Sequence, residues 1–483
     1  MVALIQVHRW LGILACLFVA MWFGSGIVMH FVPFPALTEA ERLDGLAPID
    51  LSQVLRSPSE AVLASGIRNV ARVRLVQRRD GPVYLLSAPP VVAALRADSL
   101  AGAALSAADL ALAVAQDHAR RRGFDVGQAT VSAAVPIDQW TVSGNLNPDR
   151  PLFLVSLNDK SGTEIYVSSA TGLVVRDTTR WERSWNYVGS VAHWIYPTVL
   201  RSRPVLWTAV VWFLSLTALM ASLAGAALGL LRVKTSRGRI ASPYRGWQKW
   251  HHLLGLACTV FVLTWIFSGC LSMDSGQLFS SGALTEVEVR NMPVAPAWDD
   301  LPKEEWRRGL GAAKEIEWFA FNGKFYRRER TGLDTQRLFQ VGATAATQRG
   351  YLEAGEAAAL VERLRPACNA PNTVAANDNY PVSSSMLGAP VYRVECGDIW
   401  YQIDGAGGFM LERLDPSRRA YRWLYGALHT LHIPVLVAHP LVRSALVVFL
   451  CILGLVFSTT AIVIGWRRLG QQFSVSRSPH SIS

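Results

Sequence analysis

The sequence has 483 residues, of which 51% are hydrophobic and 17% are charged, and its formal net charge is +11. This length exceeds that of one typical domain, and this apolar content argues against an ordinary soluble enzyme. A soluble protein this basic would suggest nucleic-acid binding. Here the cations cluster at the ends of apolar segments, so we predict no nucleic-acid partner.

Four apolar segments are long enough to cross a bilayer, which takes about 20 helical residues. They cover residues 10–31, 204–231, 253–273 and 441–466. The first is long for a signal peptide, and no small-x-small cleavage site follows it, so we expect an uncleaved helix.

The charges between these segments predict the topology. Residues 232–249, between the second and third segments, contain six Lys or Arg residues and no Asp or Glu. Short loops of this kind stay in the cytoplasm, and they also attract anionic lipid. We therefore predict a multi-pass protein of the bacterial inner (plasma) membrane, with both termini cytoplasmic and the two long loops periplasmic.

The two halves of the sequence align with each other. At an offset of 243, His8 aligns with His251 and Ser25-Gly26 aligns with Ser268-Gly269. At an offset of 236, His193 aligns with His429. Internal symmetry is common in membrane proteins. The predicted fold is therefore a membrane α-helical protein with four transmembrane helices, built from two tandem helix–domain–helix repeats.

The predicted segments follow in chain order. They are transmembrane helix 1 in 1–32, periplasmic domain 1 in 33–200, transmembrane helix 2 in 201–232, a basic cytoplasmic loop in 233–250, transmembrane helix 3 in 251–273, periplasmic domain 2 in 274–438, transmembrane helix 4 in 439–468 and a cytoplasmic tail in 469–483.

Both long loops have the pattern of an α+β domain. The first has a helical segment at 104–122, then strand-like segments at 151–155, 164–167 and 173–175, separated by turn residues. The second has a helical segment at 356–364, then strand-like segments at 391–395, 399–403 and 409–412. Further strand-like segments lie in 274–349, for which the pattern gives no topology.

Two of the six cysteines, Cys368 and Cys396, lie in the second long loop. An oxidising compartment favours a disulfide between them, and two free thiols are the alternative. The other four lie in the membrane segments, where cysteine acts as a small packing residue.

Histidine is the residue type that points to chemistry, because eight of the ten lie at or near the ends of membrane segments. Imidazole is a common axial ligand of haem, and helix bundles place such ligands on facing helices. We predict that His8 and His251 ligate one haem b and that His193 and His429 ligate a second. His30 is an alternative ligand of the outer haem, and His252 is an alternative to His251.

Two considerations weigh against this interpretation. Histidines at a membrane interface are often only interfacial polar residues. The two haems would also lie far apart, and the residues between them are more often packing residues than carriers. Those residues are Trp22, Phe23, Trp265 and Phe267. No phosphate-binding glycine loop and no iron–sulfur cysteine spacing is present, so the electron donor would be a quinol or a separate reductase.

Several motifs resemble those of the PepSY-associated transmembrane proteins. They are His8-Arg9-Trp10-Leu11-Gly12, His193-Trp194-Ile195-Tyr196-Pro197, Trp250-His251-His252-Leu253-Leu254-Gly255-Leu256, Ala427-Leu428-His429-Thr430-Leu431 and Gly465-Trp466-Arg467-Arg468. The stretch 164–174 is similar to the end of a PepSY domain. It has Ser168 where the family usually has Asp, and the second copy keeps Asp404 but has Gly407-Gly408 in place of Thr-Gly.

The resemblance implies four membrane helices with periplasmic PepSY domains. Some relatives are iron-regulated membrane proteins or haem-containing ferric-siderophore reductases. We therefore expect a di-haem b-type oxidoreductase that passes electrons across the membrane to a periplasmic acceptor, with a ferric siderophore or other ferric chelate favoured and no catalytic residue assigned.

Two rival functions remain. A non-enzymatic PepSY scaffold or regulator that binds a periplasmic partner or peptidase would hold no cofactor. A metal transporter would need a hydrophilic path with acidic residues, which the membrane segments essentially lack.

Overall fold

The computed structural model describes residues 1–236, 239–274, 278–302, 305–307, 310–342, 348–382 and 384–475. Part of the predicted basic loop (237–238) and the end of the predicted cytoplasmic tail (476–483) lie outside these residues. The chain divides into a helical unit (1–34, 184–280 and 419–483) and a sheet unit (35–183 and 281–418). Each unit draws on both halves of the sequence.

Four long helices form the helical unit, and we call them M1 to M4. They are Val2–Phe31, Pro204–Leu231, Gly246–Leu271 and Pro440–Val475. Each contains a stretch long and apolar enough to cross a membrane, with mean hydropathy between 1.9 and 2.7. The prediction of four membrane helices is confirmed. M1 and M3 begin earlier than the apolar segments, so His8 and His251 lie within helices.

The helices pack side by side in the order M1–M2–M3–M4, and M4 also packs on M1. Small and apolar side chains fill the centre, among them Ala15, Phe23, Ala218, Cys258 and Cys451. Small residues allow membrane helices to approach closely. A hairpin of β8 (Lys234–Ser236) and β9 (Arg239–Ala241) connects M2 to M3.

Short helices precede M2 and M4. They are a π-helical turn at Tyr187–Val191 and a helix at Thr198–Arg201 before M2, and a π-helical turn at Arg422–Ala427 with helices at Leu428–Thr430 and Pro434–Val437 before M4. Ile195 and Leu431, which follow the two π-helical turns, both have φ of 50°. A residue other than glycine rarely adopts this left-handed conformation, least of all β-branched Ile195; it costs about 1–3 kcal/mol and often marks a functional site.

A six-stranded antiparallel sheet, in the order β12-β11-β10-β1-β2-β3, is the largest element of the sheet unit. Its strands are β1 (Arg72–Arg78), β2 (Gly81–Ala88), β3 (Val91–Arg96), β10 (Glu315–Phe321), β11 (Lys324–Arg330) and β12 (Gln336–Gln340). Its two central strands, β1 and β10, come from different long loops. They are paired directly, with Leu75 of β1 opposite Ile316 of β10. The two long loops therefore build one compact unit with a shared sheet.

Two smaller α+β layers complete the sheet unit. The first is β4 (Thr130–Val135), β5 (Leu152–Ser156), β6 (Glu164–Ser168) and β7 (Val174–Thr178), with the helix Ala108–Arg121. The second is β13 (Asn372–Thr373), β14 (Val391–Cys396), β15 (Ile399–Asp404) and β16 (Met410–Leu414), with the helix Ala354–Leu364. The predicted α+β character of both loops is confirmed.

The remaining described short helices of the sheet unit lie in its connecting segments. They are Glu39–Asp44, Leu51–Gln53, Pro58–Ser65, Gly144–Asp149, Glu286–Arg290, Trp298–Asp300 and Glu305–Arg307. Two further helices, Arg180–Asn186 and Pro416–Tyr421, each span a boundary between the two units.

The turns after β6 and β15 contain Ser168, which stands where the family usually has Asp, and Asp404. The hydroxyl of Ser168 accepts a hydrogen bond from the backbone N–H of Thr171 at 3.0 Å. The carboxylate of Asp404 accepts from the N–H groups of Ala406 and Gly407, both at 3.1 Å. Serine thus replaces aspartate in stabilising the same kind of turn. The second long loop also contains a disulfide between Cys368 and Cys396.

Charged side chains are buried in the centre of the six-stranded sheet. Glu315 and Glu317 are only 1% and 2% exposed. Glu315 accepts a hydrogen bond from Arg42 at 2.7 Å and lies 3.7 Å from Arg330, while Glu317 pairs with Arg328 at 2.7 Å. Burial alone would raise the pKa of Glu315, but the surrounding arginines lower it well below its usual range. The sheet therefore depends on complete charge pairing.

His118, on the helix Ala108–Arg121, is buried at 5% exposure. Its Nε2 has no hydrogen-bond partner among the described residues. Its ring lies so close to Gly45 that a Cβ there would be 1.9 Å from Nδ1. Burial, reinforced by the positive charge of Arg122, lowers the pKa of His118 to about 4.

We expect acid to destabilise the sheet unit through His118. Because its folded pKa is below the unfolded value of about 6.5, the unfolded chain takes up the proton first as the pH falls. Stability should therefore decline between pH 6.5 and 4, by about 3 kcal/mol in total, and this group has no effect above that window. The melting temperature of the purified chain at pH 7 and 4.5 should fall more for the wild type than for His118→Leu. An equal fall in melting temperature for both proteins would contradict this expectation.

Candidate functional site

The helical unit brings four of the predicted histidines together in two pairs. His8, near the start of M1, faces His251, near the start of M3, with ring centres 6.2 Å apart. His193 and His429, each just after a π-helical turn, also have ring centres 6.2 Å apart. π-helical turns occur frequently at functional sites. We call these the inner pair and the outer pair.

The Nδ1 atoms of the inner pair are held by hydrogen bonds. His8 Nδ1 lies 2.9 Å from the carbonyl oxygen of Ala221, which can only accept, so His8 must donate. His251 Nδ1 lies 3.0 Å from the hydroxyl of Thr460. That hydroxyl can donate its own hydrogen to the carbonyl of Phe457 at 2.6 Å, which leaves it able to accept from His251.

The outer pair repeats this arrangement with two serines. His193 Nδ1 lies 3.0 Å from the hydroxyl of Ser25, which donates to the carbonyl of Met21 at 2.6 Å. His429 Nδ1 lies 3.1 Å from the hydroxyl of Ser268, which donates to a carbonyl of its own helix at 3.1 Å. With their hydrogens directed to these carbonyls, both serines can accept from the imidazoles.

The Ala221 carbonyl requires His8 to carry its hydrogen on Nδ1, and the three hydroxyls allow the same tautomer in His251, His193 and His429. In this tautomer the Nε2 lone pair is available as a metal ligand. In the described part of the chain, no hydrogen bond is made by any of these four Nε2 atoms. Ligating histidines commonly donate their other N–H to a carbonyl or hydroxyl in this way, which fixes the orientation of the ring.

The spacing within each pair suits one metal between two imidazoles. A metal–nitrogen bond is about 2 Å and a ring nitrogen lies about 1 Å from its ring centre, so linear ligation separates the ring centres by about 6 Å. Both pairs match this value. The described residues contain no group of three or more His, Cys, Asp or Glu arranged to hold a bare metal ion. Each pair thus offers two imidazoles at a separation that suits one metal atom with further ligands from another source.

A cavity of about 730 Å³, within the range of ligand-binding pockets, opens beside the inner pair and is lined by residues of all four helices. Its walls include Gly12, Ala15, Gly225 and Gly255. A Cβ at Gly225 would lie 2.5 Å from Cε1 of His8, so only glycine allows His8 its position. At the outer pair, Gly269 is the close neighbour, because a Cβ there would lie 3.3 Å from Cε1 of His429.

His252 and His30, the two alternative ligands, differ from the paired histidines in their hydrogen bonds. Both ring nitrogens of His252 are hydrogen bonded, Nδ1 to the hydroxyl of Ser242 and Nε2 to the carbonyl of Gly229, each at 3.0 Å. His30 Nε2 is hydrogen bonded to Ser444 of M4 at 2.8 Å. Neither has the free Nε2 that distinguishes the four paired histidines.

The sequence interpretation missed the groups that orient the histidines. Ser25 and Ser268 were visible as a repeated Ser-Gly step, which was a usable signal. The carbonyl of Ala221 left no signal, because any residue has one. Gly225 also left none, since the equivalent position in the second half is Ala461.

A comparison with protein families agrees with this architecture. The model of the PepSY-associated TM region matches residues 5–468, nearly the whole chain. No curated protein sequence matches the chain. The family match spans all four long helices and the sheet unit between them, so the chain belongs to the PepSY-associated transmembrane family.

Proposed function

We propose that the chain is a di-haem b-type inner-membrane oxidoreductase, which passes electrons across the membrane to a periplasmic acceptor. The observation that carries the proposal is the matched geometry of the inner and outer pairs. Both have ring centres 6.2 Å apart, and all four imidazoles present a free Nε2. A coincidental interfacial histidine has no need of a fixed tautomer or of a facing partner.

The residues present fit haem better than a bare metal ion. Zinc in a structural site takes four protein ligands, whereas each pair offers only two. Porphyrin nitrogens would supply the missing equatorial ligands. Haem held by two imidazoles supplies reversible one-electron chemistry at its iron. His8 and His251 would hold the inner haem, and His193 and His429 would hold the outer one.

The residues around the four histidines orient their rings. Ala221, Thr460, Ser25 and Ser268 orient the imidazoles and increase their basicity by accepting from Nδ1. Gly225 and Gly269 leave space beside the rings of His8 and His429. Because both nitrogens of His252 are engaged, the hydrogen bonding favours His251 as the inner ligand.

The cavity beside the inner pair extends along M1 toward the outer pair. His8 and Ser25 are 17 residues apart on M1, about 25 Å. The cavity beside His8 reaches Val19, however, which is only six residues or about 9 Å from Ser25. The rings of Phe23, Phe261 and Trp265 pack together in the core of the bundle, with centres 5.9 to 6.1 Å apart.

Topology and duplication belong to the same proposal. The recurrence of the His–Ser contact at Ser25 and Ser268, and of a φ of 50° at Ile195 and Leu431, supports a tandem repeat. The basic M2–M3 connection supports cytoplasmic termini and a periplasmic sheet unit, and the disulfide suits an oxidising compartment. The electron donor would be a quinol or a separate reductase.

The proposed acceptor is a ferric siderophore or another ferric chelate, and it rests on the family resemblance alone. One electron converts chelated Fe(III) to Fe(II). Oxygen ligands hold the softer Fe(II) less tightly, so reduction favours release of the iron.

An optical spectrum of the purified chain tests the haem proposal. We expect sharp low-spin b-type bands after dithionite reduction and about two haems per chain by pyridine haemochrome. Absence of haem from cells well supplied with it would overturn the proposal and favour the non-enzymatic PepSY scaffold.

The acceptor can be tested separately. The reduced chain should be reoxidised on mixing with a ferric siderophore but not with the gallium complex of the same siderophore, which cannot accept an electron. Equal spectra after both additions would remove the ferric chelate from the proposal without affecting the haem assignment.

A further inference from the structure

The cavity beside the inner pair has a strongly basic lining. Five arginines line it, and no Asp or Glu does. They are Arg9 of M1, Arg232 at the C-terminal end of M2, Arg245 at the N-terminal end of M3, and Arg467 and Arg468 of M4. The arginine positions all lie toward one end of the four helices.

Nothing in the helical unit neutralises these charges. In residues 1–34, 184–280 and 419–483 the only acidic side chain is Asp274, which follows the opposite end of M3. None of the five arginines forms an ion pair within the described part of the chain. The Nε of Arg232 is buried and has no hydrogen-bond partner among the described residues. Unpaired cations around a cavity favour an anionic occupant.

The chemical character of the cavity lining also changes along its length. Gly225 of M2 lies against His8, and Arg232 follows seven residues later, about 10 Å along the helix. Between these levels M2 and M4 line the cavity with apolar residues, among them Ala226, Leu228 and Ile464. A matching ligand therefore has an apolar body at the histidines and acidic groups at the arginines. Arginine suits carboxylates because its guanidinium donates two parallel hydrogen bonds.

We infer that the arginines at this end of the cavity bind the two carboxylates of a porphyrin held by His8 and His251. The inference rests on the proposed function and adds the ligand class of the inner position, which is a porphyrin with free acid side chains. It also orients the porphyrin, with its carboxylates directed toward the M2–M3 connection. The alternative is that the arginines serve only lipid headgroups, as basic residues at membrane ends often do.

Haem release from the full-length chain tests the inference. The wild type, a double variant Arg232→Gln/Arg468→Gln and the control Lys249→Gln are placed in phosphatidylcholine nanodiscs, and haem loss to apomyoglobin is followed. Lys249 is an exposed cation at the same end of M3 that does not line the cavity. One of the two release phases should be about tenfold faster in the double variant, since charged hydrogen bonds are lost. The other phase reports intact folding.

A second ligand tests the role of the carboxylates from the side of the porphyrin. Haem dimethyl ester, which has no free carboxylate, should leave the wild-type inner position as fast as haem leaves the double variant. Equal release from all variants, with two haems still bound, would overturn the inference and leave the proposed function standing. A difference that appears only when phosphatidylglycerol is present would assign the arginines to lipid and would also overturn it. Absence of haem from the wild type would instead overturn the proposed function.

Discussion

His251→Ala is expected to lower the haem content of the purified chain from about two to about one per chain. The substitution removes one of the two nitrogens whose rings lie 6.2 Å apart in the inner pair, while the outer pair shares no ligand with it. The matched control is His252→Ala, one residue away on the same helix. Both nitrogens of His252 are already hydrogen bonded, so its loss should leave the haem content unchanged. Pyridine haemochrome and reduced-minus-oxidised spectra provide the measurement.

The outer pair offers the reciprocal experiment. His193→Ala should remove the other haem and leave the one that His251→Ala removes, so the two variants should show complementary spectra. Full haem content in His251→Ala together with a loss in His252→Ala would contradict the assignment and exchange the roles of the two neighbours. Loss of both haems in either variant would mean that the two positions do not form independently.

Glu315→Gln should destabilise the sheet unit by about 3–5 kcal/mol, because it leaves buried arginines without their counter-charge. Glu315 is 1% exposed and lies 2.7 Å from Arg42 and 3.7 Å from Arg330, which is also 1% exposed. Gln has nearly the same size, so the effect measures charge rather than packing. The control Glu286→Gln changes an exposed carboxylate and should have little effect.

Thermal unfolding of the full-length chain, followed by tryptophan fluorescence, reports this difference. The pKa of Glu315 is lowered in the folded state, so its stabilising contribution is complete above the unfolded value of about 4 and is lost only in stronger acid. Equal melting temperatures for the two variants at pH 7 would contradict this prediction. They would show that water or a rearrangement compensates the charge of the buried arginines.

Periodicity and length were sufficient to predict the four long helices, because about twenty apolar residues without charge have few other structures available. Three strands of each smaller layer were also predictable, since turn residues separate them, whereas β4 and β13 were not predicted. The six-stranded sheet was not. Leu75 pairs with Ile316, and no local pattern indicates a partner 241 residues away.

The histidine pairs were predictable for a different reason. Repetition of His8 as His251 and of His193 as His429 suggested common roles, and the structure brings each pair together. Which nitrogen is free depends on acceptors from other helices. Ala221, for example, acts through its backbone oxygen, and one sequence carries no record of that.

The shared sheet has a consequence for biogenesis. Synthesis at about 5–20 residues per second separates the emergence of β1 and β10 by about 12–50 s, because their paired residues are 241 positions apart. During that interval β1 would present an unpaired edge, which is a template for pairing with other chains. A chaperone that covers this edge would limit such pairing. Two copies of an isolated first half would tend to pair through their β1 edges.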